Sequence, residues 1–176
     1  MNNRLISLIL LLFLVLSYSC NKLDDDAELI AKWKTQNETY FSNMKDSVGY
    51  VFYEVPYAPN GYGYYYKIIK QGNPEISSPL SIDTVIVNYR GKLVDGTVFG
   101  QTFTKNTPID DLTAKPFKSK MIELIPGWIE NLTRMKVGEI RTIVLPQQLA
   151  YGSYYMPTLP YSTLIFDIQL VSFNAY

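Results

Sequence analysis

The chain has 176 residues, 47% apolar and 18% charged, with 16 basic against 16 acidic side chains. That is enough apolar material for one packed domain with extensions, and the missing basic surplus argues against nucleic acid as a partner. With no His and a single Cys, the chain lacks His-assisted nucleophiles, the usual zinc ligand sets and an internal disulfide, so neither metal nor cofactor is expected.

Residues 1–19 read as an export signal. Arg4 supplies the positive start, and Leu5–Leu16 is an apolar run too short to span a bilayer comfortably. Ser17-Tyr18-Ser19-Cys20 resembles the lipobox of bacterial lipoproteins, in which the Cys carries the lipid and becomes the new N-terminus. The alternative is a secreted protein with a free Cys20. The acidic run Asp24-Asp25-Asp26 resembles surface-export signals of Bacteroides-like bacteria and is also a good helix start. Residues 20–61 are therefore expected to be a lipid-anchored tether followed by one helix, Ala27–Met44. Leu29, Ile30, Trp33, Tyr40, Phe41 and Met44 fall mostly on one face of it. That face packs either on its own domain or on a second copy, which would make a homodimer.

Val51, Tyr53 and Val55 alternate as a short strand would, and Ala58-Pro-Asn-Gly is turn chemistry. From residue 62 to 176 the pattern is that of one sheet-forming domain. Tyr64–Lys70 and Ser81–Val94 read as strands, the second with Val85, Val87 and Tyr89 on one face. Asp95-Gly96 signals a hairpin returning along Thr97–Thr102. Lys105–Lys118 reads as a loop and Lys120–Leu124 as a strand. Pro126 suits a first helical position, after which Trp128, Leu132 and Met135 form one apolar stripe. Ile140–Leu145 and Ser162–Phe173 complete the sheet, separated by a loop with four Tyr. Leu164, Phe166, Ile168 and Leu170 share one face of the last strand. A helix as short as the one at Pro126 is not stable alone. The sheet must therefore curve around it, with Trp128 at the floor of the hollow between them. The expected class is α+β, an antiparallel half-barrel wrapped on one short helix, with an N-terminal helical extension.

Tyr89-Arg-Gly-Lys-Leu-Val-Asp-Gly-Thr-Val-Phe99 resembles the hallmark hairpin of FKBP-type peptidyl-prolyl cis-trans isomerases. Ile125-Pro-Gly-Trp128, Met135-Lys-Val-Gly-Glu139, Leu149-Ala-Tyr-Gly152 and Thr163-Leu-Ile-Phe-Asp167 follow in the family's order. The resemblance covers about Tyr62–Phe173. It implies rotation of X–Pro bonds in an aromatic box, without acid, base or metal. By motif position the box is Tyr89, Phe99, Leu124, Ile125, Trp128, Tyr151 and Phe166, with Phe117 as the loop aromatic. The Ile125 N–H and the Tyr151 hydroxyl would bond the substrate chain, and the edges of Tyr89, Phe99 and Phe166 would surround the turning carbonyl. For each of these residues plain core packing is the other reading. Gly100 stands where the family usually has Asp, and Tyr154, Tyr155, Met156 and Thr158 replace the family's usual residues after Tyr151. The resemblance thus implies an isomerase and folding helper for exported proteins, acting on proline-containing polypeptides, anchored in the cell envelope at the outer membrane, and weak because of Gly100. The rival is a module that binds proline peptides on the same scaffold without turnover.

Overall fold

A computed structural model of the chain describes residues 26–56, 58–108, 111, 113–154 and 158–174. The export signal, Cys20, Tyr155 and Met156 lie outside the described residues. Helix α1 spans 26–43. The strands are β1 (Val51–Glu54), β2 (Gly63–Lys70), β3 (Thr84–Lys92), β4 (Val98–Gln101), β5 (Phe117–Lys120), β6 (Ile140–Leu145) and β7 (Leu164–Asn174), and helix α2 is Pro126–Leu132. All strand pairings are antiparallel, in the order β1-β2-β6-β7-β3-β4, with β5 beside the first half of β3.

One face of this sheet is apolar throughout. Val85 and Val87 of β3, Ile143 and Leu145 of β6, and Leu164, Phe166, Ile168 and Leu170 of β7 are all buried, at the alternation a strand imposes. α2 lies in the concavity they form. Pro126 opens it and Ile125 caps it in extended conformation. Trp128, Leu132 and, one turn on, Met135 are buried against the sheet, so the stripe read from the sequence is the packing face. Burying Leu132 alone contributes roughly 1.5–3 kcal/mol. The end of α2 is held by a buried ion pair. Arg141 reaches Glu139 on one side and donates to the Arg134 carbonyl at 2.8 Å on the other. Glu139 accepts the Lys136 N–H at 2.8 Å, which closes the link around Gly138, at φ +84.

Two boundaries differ from the sequence expectation. The strand expected at Lys120–Leu124 lies three residues earlier, at Phe117–Lys120, and Met121–Glu123 is a single 3-10 turn. The apolar residues Met121, Ile122 and Leu124 suggest a strand, but Met121 is buried on that turn with its N–H bonded to the Asp83 carbonyl at 2.9 Å. Phe117 is therefore the first residue of a strand rather than a loop aromatic. The sheet also begins before residue 62. β1 pairs with β2 through Val51–Glu54, so the boundary expected at 62 falls inside a hairpin.

Of the two uses expected of α1, the contacts realise docking on its own domain. Trp33 and Met44 are buried and the Phe41 ring meets Tyr65 of β2 at 5.2 Å. Leu29, in the first turn, stays 59% exposed.

Candidate functional site

β3 and β7 run side by side, and their alternation turns Tyr89 and Phe166 to the concave face. α2 brings Trp128 between them. Its ring lies 5.3 Å from Tyr89 and 5.2 Å from Phe166, both nearly edge-on. Such edge-to-face contacts favour a fixed ring geometry beyond the area they bury. Phe99 stands edge-on to Phe166 at 5.5 Å, and Phe117 to Tyr89 at 5.9 Å. With Leu124, Ile125 and Tyr151 these side chains line one cavity of about 320 Å³. Every box residue named from the sequence is therefore in the same hollow, and Trp128 and Phe166 are at once its floor and part of the core.

Gly91 lies opposite Phe166 in the β3–β7 ladder. A Cβ there would stand 2.6 Å from the Phe99 ring and 2.8 Å from the Phe166 ring, so only glycine lets the two walls meet. The hairpin also carries a bulge. Gly91 faces Gly100, but Lys92 faces Val98, which leaves Phe99 as an extra residue. The bulge turns both Phe99 and Gly100 toward the cavity, where regular alternation would send them to opposite faces. A Cβ on Gly100 would meet the Tyr89 hydroxyl at 3.1 Å, and its φ is outside the left-handed region.

Polar groups are few. The Ile125 carbonyl accepts the Trp128 and Ile129 N–H groups of α2, while among the described residues its own N–H finds no backbone acceptor. The Trp128 Nε1–H is buried and finds no partner among the described residues. Burial pushes the Tyr151 hydroxyl pKa up, and the neighbouring Tyr89 adds to the effect. Sequence reasoning missed one lining residue, Glu123, whose carboxylate accepts the Ser119 hydroxyl at 3.4 Å. It is the only formally charged side chain lining the cavity among the described residues. Its place directly before Leu124-Ile125 was the available signal. β5 does not bring its lysines into the hollow. Phe117 and Ser119 pair with the inward Val87 and Val85, which sends Lys118 and Lys120 to the other face. The arrangement offers apolar walls, the Ile125 amide, phenol hydroxyls and, among the described residues, the one carboxylate of Glu123. It can bind and desolvate a small apolar ring and its amide.

The family profile described as FKBP-type peptidyl-prolyl cis-trans isomerase matches residues 77–171, more than half of the chain. The isomerase FkpA of Escherichia coli K12 is 36% identical over 110 residues, covering 62% of this chain and 37% of that protein. The outer membrane protein MIP of Legionella longbeachae is 36% identical over 141 residues, covering 79% of this chain and 53% of that protein. The chain thus spans between about a third and a half of the length of these curated relatives. The crystal structure of Escherichia coli FkpA superposes with a TM-score of 0.72 at 26% identity, over 99% of this chain and 74% of that one. Fold, cavity and profile agree: the chain belongs to the family of FKBP-type peptidyl-prolyl cis-trans isomerases.

Proposed function

We propose that the cavity takes a proline ring and catalyses rotation of the X–Pro bond, weakly, in polypeptides outside the cytoplasm. The observation that carries this reading is the box itself: Tyr89, Phe99, Trp128, Tyr151 and Phe166 around one hollow, lined also by Ile125, whose N–H finds no backbone acceptor among the described residues. An amide resists rotation by about 18–20 kcal/mol through conjugation. The twisted state has lost that conjugation and part of its charge separation. Apolar walls therefore favour it over the planar imide, which water stabilises. Tyr89, Phe99 and Phe166 act at the turning carbonyl. The Ile125 N–H and the Tyr151 hydroxyl hold the chain, and Leu124, Trp128 and Phe117 seat the ring. Each tenfold in rate requires about 1.4 kcal/mol of such preference.

The weakness follows from Gly100, which faces the cavity without a carboxylate. The same observation favours a second reading, a module that holds proline peptides without turnover. Both are tested by a protease-coupled assay on an X–Pro peptide, with peptide affinity measured alongside. The parent is expected to be slow but active, and Gly100→Asp to raise turnover with little change in affinity. The Asp Cβ needs only a small shift of the Tyr89 hydroxyl, and no positive φ opposes it. A parent with no turnover whose Gly100→Asp form is folded and also inactive supports the binding module.

The anchor is a separate part of the proposal. Cys20 is the lipid site, and the protein is held in the cell envelope, at the outer membrane. Support comes from the signal-like residues 1–19 and from a relative that is an outer membrane protein. Cys20→Ser is expected to move the protein from the membrane to the soluble fraction, and retention like the parent's would remove the anchor.

A further inference from the structure

The cavity wall that carries Tyr151 is a loop, and α1 grips the far end of it. Tyr161 sits at φ +63, a conformation that a bulky residue keeps only when its surroundings hold it there. Its N–H donates to the Gly152 carbonyl at 2.8 Å, and Gly152 directly follows Tyr151. On the other side, three successive residues are held by one turn of α1. Lys34 Nζ lies 5.0 Å over the Tyr161 ring. Trp33 Nε1 donates to Ser162 Oγ at 3.1 Å. Asn37 Oδ1 accepts the Thr163 N–H at 2.7 Å, and the Asn37 carbonyl accepts the Thr163 hydroxyl at 3.1 Å. Asn37 is completely buried, and its Nδ2 donates to the Trp33 carbonyl at 2.8 Å. Its amide therefore has both ends engaged and one orientation only. Apolar side chains alone would dock a helix with freedom to slide. A buried amide that must meet one N–H fixes the register, because leaving either partner unmatched is costly.

We propose that α1 is a positioning element for the cavity: Asn37, with Trp33, fixes residues 161–163 and, through the Tyr161–Gly152 bond, sets where Tyr151 stands. This rests on the reading of the hollow as a proline pocket only where a peptide is the readout. In the full chain, Asn37→Ala and Trp33→Phe each remove a link, and Thr163→Val and Thr163→Ser respectively lose and keep the hydroxyl bond. Met44→Ala loosens the 3-10 turn that follows α1. Two quantities are read, the exchange rate of the Tyr161 amide and the affinity for an X–Pro peptide. Asn37→Ala is expected to speed that exchange about tenfold as local opening becomes easier. Peptide binding should weaken about three- to tenfold, with no added loss in a Tyr151→Ala background if the effect runs through Tyr151. Trp33→Phe and Thr163→Val should follow in the same direction, while Thr163→Ser and Met44→Ala stay near the parent. Unchanged Tyr161 exchange in Asn37→Ala, equal losses in Met44→Ala, or an undiminished loss in the Tyr151→Ala background would each overturn the proposal. A parent that binds no proline peptide overturns the proposed function instead, and amide exchange alone then decides the role of α1.

Discussion

The floor and the rim of the cavity are built by different means. Trp128 and Phe166 form the floor, 4% and 2% exposed, on a helix and a central strand, and they are core side chains as much as binding ones. The rim is Tyr151 on a loop, Phe117 at the start of an edge strand and Glu123 on a single turn. Tyr151 on the rim is held from a distance by polar contacts, those of α1 with residues 161–163. The floor therefore cannot change without disturbing the fold, whereas the rim is free to vary in chemistry. Gly100, one departure from the family pattern read in the sequence, lines the cavity beside Tyr89 and is not part of the floor.

This contrast is broken most directly at the floor. Trp128→Ala removes contacts to both Tyr89 and Phe166 and is expected to cost about 3–5 kcal/mol of stability together with peptide binding. Denaturant unfolding and a peptide titration measure the two losses. If binding disappears at parental stability, floor and core are separable after all. Next in size is Gly91→Ala. The new Cβ must push apart the Phe99 and Phe166 rings, an overpacking that costs about 1–3 kcal/mol and distorts the hollow. Thermal melting with the same titration checks this, and a variant that matches the parent in both would show that the two rings move freely.

The smallest effect belongs to the β4–β5 connection, away from the floor. Among the described residues Asp111 accepts five hydrogen bonds, from the N–H and hydroxyl of Thr104, the N–H of Lys105, and the N–H and hydroxyl of Thr113. The bonds from Thr104 and Thr113 hold its carboxyl well below the usual carboxylate range, outweighing the desolvation that acts the other way. The folded pKa is depressed, so the stabilisation is present above the unfolded value, near 3.9, and is lost as pH falls below it toward the folded value. Melting temperatures of the parent should fall on acidification through this window. Asp111→Asn should start lower at neutral pH and lose less on acidification, with peptide binding at neutral pH changed less than by either floor variant. Equal acid sensitivity in both proteins would show that Asp111 is not the group responsible.

Much of this architecture is set by the sequence alone, because local periodicity reports which face of an element is buried. Val85, Val87 and Tyr89 on β3, the alternating apolar residues of β7, the Asp95-Gly96 turn and the Trp128-Leu132-Met135 stripe all fall where the pattern puts them. Gly96 takes φ +88, as that turn requires. The family resemblance names eight box residues, and all eight line one hollow. What the pattern does not carry is which distant segment an element meets. β5 lies at Phe117–Lys120 because it borders the first half of β3 as an edge strand, where polar Lys118, Ser119 and Lys120 are tolerated. The apolar residues just after it are consumed by a turn. Gly100 faces the cavity because β3 and β4 disagree by one residue, and a bulge is a property of two paired strands, not of either alone. The amphipathic face of α1 announces that something covers it, but not that Trp33 and Asn37 would hold Ser162 and Thr163, 129 and 126 residues further along the chain. Hydrogen bonds across that separation depend on the folded sheet bringing the residues just before β7 to the helix. Only the tertiary structure decides them.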